Sequence, residues 1–258
     1  MSIIALRAWY LQDYEPISIL EKRPPDIRLS KKSLLKSALR ADFLDDKDEI
    51  KKSTWFGRYL EGENIEFYID GSGTYVVSNI DLMSHEIYLT KQATLSQLEP
   101  VIYFSCQTEY LKSTEILREE LQKTVEKINL RSRYPLTILE SPRPENSPVR
   151  LSQSRMKKIR KSLLFIADTT AIANIINPEI PDIKTLIPSP NVCVEMGYAI
   201  HSKKIEHILL VEMQRSELAG KNTFDLPLQQ VLQFADSSEL NQMLTSAIEA
   251  HLMRFRLF

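Results

Sequence analysis

Apolar positions follow two different rhythms along the chain, and the change of rhythm predicts two parts, residues 1–95 and 100–258. In the first, Ile3 to Leu11 is an apolar run holding Trp9 and Tyr10, which suits a strand, and Pro24-Pro25 then breaks the chain. Leu34, Leu35, Ala38, Leu39 and Phe43 recur at helical spacing and predict a helix, which the acidic stretch Asp45 to Glu49 closes or turns. Trp55, Phe56, Tyr59 and Leu60 predict a short second helix stopped by Gly62. Ile65, Phe67 and Ile69 then alternate with Glu66, Tyr68 and Asp70. Asp70-Gly71-Ser72-Gly73 supplies turn residues, and Thr74 to Ile80 resumes as a β-branched strand, so a hairpin is expected. With a further strand at Glu86 to Thr90, this part reads as a small α+β module with an antiparallel meander, its aromatics packed on the helices.

The second part alternates continuous apolar runs with amphipathic ones. Val101 to Cys106, Leu136 to Leu139, Leu163 to Ala167, Ile208 to Met213 and Gln230 to Phe234 predict strands. Tyr110 to Asn129, Ser152 to Ser162, the segment from Ser189, and Glu239 to Phe255 predict helices. Ser141 to Pro148 holds three prolines and reads as loop, as does the stretch containing Pro178, Pro181 and Pro188. Strands that are apolar throughout are covered on both faces, so an α/β fold is expected, a parallel sheet with helices on both sides. Ligands of such sheets bind beyond the carboxyl ends of the strands. That rule singles out Ser105 and Gln107 after the first strand, Asp168, Thr169 and Thr170 after the third, and the start of the Ser189 helix.

Composition removes several alternatives. The chain has 258 residues and a net charge of −1, so no global field draws it to nucleic acid. The basic segment Arg150, Arg155, Lys157, Lys158, Arg160 and Lys161 reads as a solvated helix face. No apolar run is long enough to span a bilayer, and no signal peptide is evident, so a cytoplasmic protein is expected. Cys106 and Cys193 sit in apolar segments as reduced core thiols. The four histidines pair with no second ligand at zinc spacing, and no metal or cofactor is expected. With six glycines the chain has no phosphate-binding glycine loop, and no nucleophile elbow appears.

One residue breaks the apolar pattern of the Ser189 helix. Glu195 is the only charged side chain between Lys184 and Lys203. A carboxylate on an apolar helix is costly unless it is partnered or faces a cleft. Ser189-Pro190-Asn191 is a helix-start signal whose free amides favour anions, and Tyr198 follows Glu195 by about one turn.

Phe165-Ile166-Ala167-Asp168-Thr169-Thr170, then Ser189-Pro190-Asn191-Val192-Cys193-Val194-Glu195-Met196-Gly197-Tyr198-Ala199, then Ile208-Leu209-Leu210-Val211 resemble the bacterial TIR-like (Toll/interleukin receptor-like) nucleotide-binding domains. They are also similar to nucleoside 2-deoxyribosyltransferases. Phe224-Asp225-Leu226-Pro227 resembles a late segment of the bacterial group. The resemblance covers about residues 100–258 and implies a flavodoxin-like fold and cleavage of an N-glycosidic bond in NAD or a nucleoside. It gives Glu195 the role of the catalytic glutamate and Asp168 that of the aspartate beside it. Ser105, Gln107, Thr169, Thr170, Ser189, Asn191 and Tyr198 are then the expected ligand-binding residues. The expected partners are a small-molecule nucleotide and further copies of the chain, with no nucleic acid and no membrane. The alternatives are a non-catalytic self-assembling scaffold and a deoxyribosyltransferase-like enzyme.

Overall fold

The computed structural model describes residues 5–34, 37–91, 98–143, 152–177, 180–218, 220–222 and 231–258. The chain divides into two compact units, Met1–Leu98 and Glu99–Phe258.

The first unit contains β1 (Ala5–Tyr10), α1 (Ile17–Leu20), β2 (Ile27–Leu34), β3 (Ala38–Phe43), α2 (Lys47–Lys52), α3 (Thr54–Leu60), β4 (Glu66–Ile69), β5 (Gly73–Asp81) and β6 (Glu86–Lys91). Its six strands close into an antiparallel barrel in the order β1-β2-β3-β6-β5-β4. The expected antiparallel meander is β4-β5-β6, and the sheet that contains it closes into a barrel, which leaves no sheet edge open. The predicted helix at Leu34 to Phe43 is corrected. Leu34 ends β2 and Ala38 to Phe43 form β3, with Leu35 outside the described residues. Leu39, Ala41 and Phe43 point into the core at period two, and the small Ala41 hid that period from a reading based on large apolar residues. Asp46 caps α2 by accepting from the Asp48 amide, so the acidic stretch starts a helix. The hairpin is formed by β4 and β5, and Gly71 (φ 67°) and Gly73 (φ 107°) take up its left-handed positions. Phe67 and Tyr75 are buried in the barrel core with Trp55 and Phe56 of α3.

The second unit contains β7 (Glu99–Ser105), α4 (Leu111–Asn129), β8 (Thr137–Glu140), α5 (Gln153–Lys161), β9 (Ser162–Asp168), β10 (Ala171–Asn177), β11 (Ile180–Pro188), α6 (Pro190–Ser202), β12 (Ile208–Met213), β13 (Lys221–Asn222), β14 (Val231–Phe234) and α7 (Ser237–Leu252). Five strands form one sheet in the order β8-β7-β9-β12-β14, with every pair parallel. The helices pack as the pairs α4 with α7 and α5 with α6. All seven residues of β9 are buried, as a central strand covered on both faces requires. Gln230 and Phe224 to Pro227 lie outside the described residues.

The stretch between Asp168 and Ser189, expected as loop, is instead a hairpin of β10 and β11, joined by the short β13 into a three-stranded sheet. Pro188 ends β11, and the contact of β11 with β13 is confined to Thr185 and Leu186, away from Pro181 and Pro188. Prolines at strand ends and on unpaired edges remove no ladder bond, so their presence does not oppose a strand.

Candidate functional site

Chain direction reverses between β7 and β9. From β7 the chain passes through α4 to β8 on one side, and from β9 it passes to β12 on the other. Open parallel sheets have their ligand crevice at such a point, beyond the strand carboxyl ends. Ser105 ends β7 opposite Ala167 of β9. Ser141 follows β8 and its amide donates to the Phe104 carbonyl, which sets the two serines side by side.

Glu195 enters from α6. The inward stripe of that helix is Val192, Glu195, Met196 and Ala199, the spacing of one helical face. Its carboxylate is 1% exposed and fully engaged. Ser105 Oγ donates to Oε2 at 2.6 Å and Ser141 Oγ to Oε1 at 2.5 Å. Arg143 donates from Nη1 to Oε1 and from Nη2 to Oε2, both at 3.0 Å, a bidentate buried ion pair. Arg143 is fixed in turn by its Nε bond to the Cys106 carbonyl at 2.8 Å. Arg155 Nη1 stands 3.6 Å from Oε1. Burial pushes the Glu195 pKa up, but the Arg143 bonds and charge and the two serine hydroxyls outweigh it and hold the carboxyl below its ordinary value. Burial likewise lifts the Cys106 thiol to about 12, so it is no nucleophile at neutral pH.

Asp168 is fully buried and bonded away from Glu195. It accepts from Ser113 Oγ at 2.7 Å, from Thr114 Oγ1 at 3.1 Å and from the Thr170 amide at 3.1 Å. These bonds tie the end of β9 to the first turns of α4. Burial, only partly offset by the Thr170 and Ser113 bonds, raises its pKa.

The other expected ligand residues divide. Gln107 is buried and donates to Ser113 Oγ at 3.3 Å and to the Thr170 carbonyl at 3.2 Å. Thr169 bonds the Val211 carbonyl through its amide, and Thr170 Oγ1 accepts from the Met213 amide, so both knit β9 to β12. Ser189 Oγ donates to Glu109 Oε1 at 3.0 Å, so the anion beside the first turn of α6 is a carboxylate of the chain itself. Asn191 is half-buried on that turn, and Tyr198 packs against the core formed by Tyr103, Phe165 and Met196. Among these residues Ser105 is the one whose side chain hydrogen-bonds Glu195.

Sequence reasoning missed Ser141, Arg143 and Arg155. The first two lie in a stretch assigned as proline-rich loop, the third in a helix read as a solvated basic face. The available signal was the rule that a buried carboxylate needs a cation, and these arginines lie close to the carboxyl end of β8. Among the described residues no cluster of side chains suits a metal ion, and no helix is long and apolar enough to cross a membrane. The chain matches no family model and no curated protein sequence.

Proposed function

We propose that residues 99–258 form a flavodoxin-like, TIR-like domain that binds a nucleotide and hydrolyses its N-glycosidic bond, with NAD as the leading substrate. The observation that carries this reading is the meeting of Glu195 and Ser105 at the point where the sheet reverses direction. The strand order supports it: numbered among themselves the five parallel strands run 2-1-3-4-5, the flavodoxin-like order. A carboxylate is the group that meets an oxocarbenium-like transition state. Water would add to the anomeric carbon as the bond to the nicotinamide nitrogen breaks. That nitrogen keeps the bonding pair, neutral nicotinamide leaves, and the water proton passes to solvent. Glu195 serves in this only after Arg143 withdraws, so the site as described is latent. Asp168 acts at a distance, by fixing α4 against β9.

A second reading is favoured by the saturation of Glu195: a non-catalytic TIR-like scaffold in which the Glu195–Arg143 pair is structural. A proton NMR time course separates them, using wild type, Glu195→Gln and Arg143→Gln with NAD and, separately, with deoxynucleosides. Free base released by wild type or Arg143→Gln, and not by Glu195→Gln, supports the glycosidic-bond enzyme. Release that survives Glu195→Gln, or none from any protein, overturns it. Light scattering across a concentration series then tests the scaffold.

A further inference from the structure

Nη1 of Arg143 serves two acceptors at once, Ser141 Oγ at 2.6 Å and Glu195 Oε1 at 3.0 Å. A carboxylate offers about four acceptor positions. Those of Glu195 are filled by the two serine hydroxyls and the two Arg143 nitrogens. Withdrawal of Arg143 therefore frees one acceptor position on Ser141 and one on Oε1. On the other side it frees those that Nη2 holds on Oε2 and Ser105 Oγ.

Two buried side-chain donors of this unit make no hydrogen bond among the described residues, the Tyr103 hydroxyl and Nη1 of Arg155. Each stands beside an acceptor that Nη1 of Arg143 would release. Arg155 Nη1 is 3.6 Å from Oε1, about half an ångström beyond hydrogen-bond reach. The Tyr103 hydroxyl neighbours Ser141 and senses the charges of Glu195, Arg155 and Arg143. Burial, with the Glu195 charge adding to it, lifts the Tyr103 pKa to about 12, so the hydroxyl keeps its proton and can donate. On the Oε2 side no buried side-chain donor is left unspent among the described residues.

Local structure holds both donors in place. Tyr103 and Ser105 stand two apart on β7 and share a face of the strand, and the Tyr103 ring stacks on Phe165 with centroids 5.8 Å apart. Arg155 sits in the first turn of α5, where its amide donates to the Ser152 hydroxyl. The helix dipole opposes a cation at that position, and the Glu195 charge offsets it. Native proteins rarely leave buried donors unpaired, so two of them against one saturated site point to a second set of bonds.

We propose that Tyr103 and Arg155 are positioning residues that take over Glu195 when Arg143 withdraws. Arg155 then donates to Oε1 and Tyr103 to Ser141, so the carboxylate stays charged and aligned. Oε2 keeps the Ser105 bond alone and is the oxygen presented to the anomeric carbon. The exchange of partners is a property of the fold; the role of Oε2 rests on the hydrolytic reading.

Urea unfolding tests the exchange with Tyr103→Phe and Arg155→Met, each made in wild type and in Arg143→Ala. In wild type Tyr103→Phe removes no bond and should change the unfolding equilibrium constant less than about twofold; in Arg143→Ala it should raise it about tenfold. Arg155→Met should raise it about a hundredfold in Arg143→Ala and far less in wild type, where Arg143 still holds the charge. Carbon-13 NMR of the Glu195 carboxyl gives a readout that packing alone would not move. In Arg143→Ala, adding Arg155→Met should raise the titration midpoint by about one pH unit or more, and Arg155→Lys should restore it in part. Equal costs in both backgrounds, or a midpoint indifferent to Arg155, would overturn the proposal. Should Arg143→Ala not fold, Arg143→Gln replaces it. Failure of both to fold also overturns the proposal, because the second set of bonds would then not hold the carboxylate. No substrate enters these measurements, so the exchange and the NAD time course fail separately.

Discussion

Arg143 grips both oxygens of Glu195, each at 3.0 Å, with the two side chains 6% and 1% exposed. Removing one member of such a pair leaves an uncompensated buried charge, which costs far more than the pair contributes when intact. Arg143→Ala should therefore destabilise the second unit by about 3–5 kcal/mol, towards the lower figure because Arg155 remains nearby. The double variant Arg143→Met, Glu195→Leu should recover most of the loss. Urea unfolding of the three proteins checks this; equal stability of Arg143→Ala and wild type would mean that the pair carries no net charge burden.

The serine hydroxyls are the second support of the carboxylate. Ser105→Ala and Ser141→Ala each remove a charge-assisted bond to Glu195 and should cost about 1.5–3 kcal/mol, Ser141→Ala towards the higher figure because it also removes the bond accepted from Arg143 Nη1. In a Glu195→Gln background each cost should shrink, because the bond no longer ends on a charge. A double-mutant cycle measures the coupling, and additive losses would show that the serines stabilise the fold independently of Glu195.

These contacts mark where sequence reading reaches its limit. The parallel sheet was legible because buried strands carry continuous apolar runs, as in Leu163 to Ala167. Glu195 was legible because a charge on an apolar helix stands out. Its partners were not, since nothing local distinguishes Arg143 from any other arginine after a proline. Its role exists only because β7 and β8 lie side by side and carry Cys106 and Ser141 to it. Barrel closure was equally hidden, because the pairing of β1 with β4 joins segments about sixty residues apart and leaves no mark in either. The strand at Leu39 to Phe43 was misread for a local reason, a small residue at an inward position.

Acid should act on Glu195 and Asp168 with opposite signs. The folded-state pKa of Glu195 is depressed, so its stabilisation is present above the unfolded value of about 4.3 and is lost as pH falls through the lower folded value. That of Asp168 is raised, so its favourable contribution is present below about 3.9 and is lost as pH rises through the higher folded value. Asp168 is thus a burden once the pH rises above its unfolded value. Asp168→Asn keeps the shape, and the hydroxyls it releases have acceptors at hand, Ser113 in the Tyr110 carbonyl and Thr114 in the Gln107 carbonyl. The variant should melt at the same temperature as wild type or higher at pH 7, and lose that advantage in acid. A clear loss of stability at pH 7 would show that the charge is needed.

Lys203 extends the argument to a base. It caps the carboxyl end of α6, and burial lowers its pKa to about 8. An unfolded lysine titrates near 10.4, so between those values the unfolded chain holds a proton that the folded one has released, and stability should rise with pH across that window. Below it the full cost of burying the charge is present. Two interactions oppose that cost, the Nζ bond to the Ser162 carbonyl and the helix dipole. Lys203→Met removes the charge with little change in shape. It should melt above wild type at pH 7, by less than the pKa shift alone implies because the Ser162 carbonyl loses its donor. The difference should shrink from about pH 8 upwards and reverse once both states are neutral, when only the lost bond remains. Melting curves of both proteins at a series of pH values decide the point. A difference that does not change with pH would show that Lys203 acts through packing rather than through its proton.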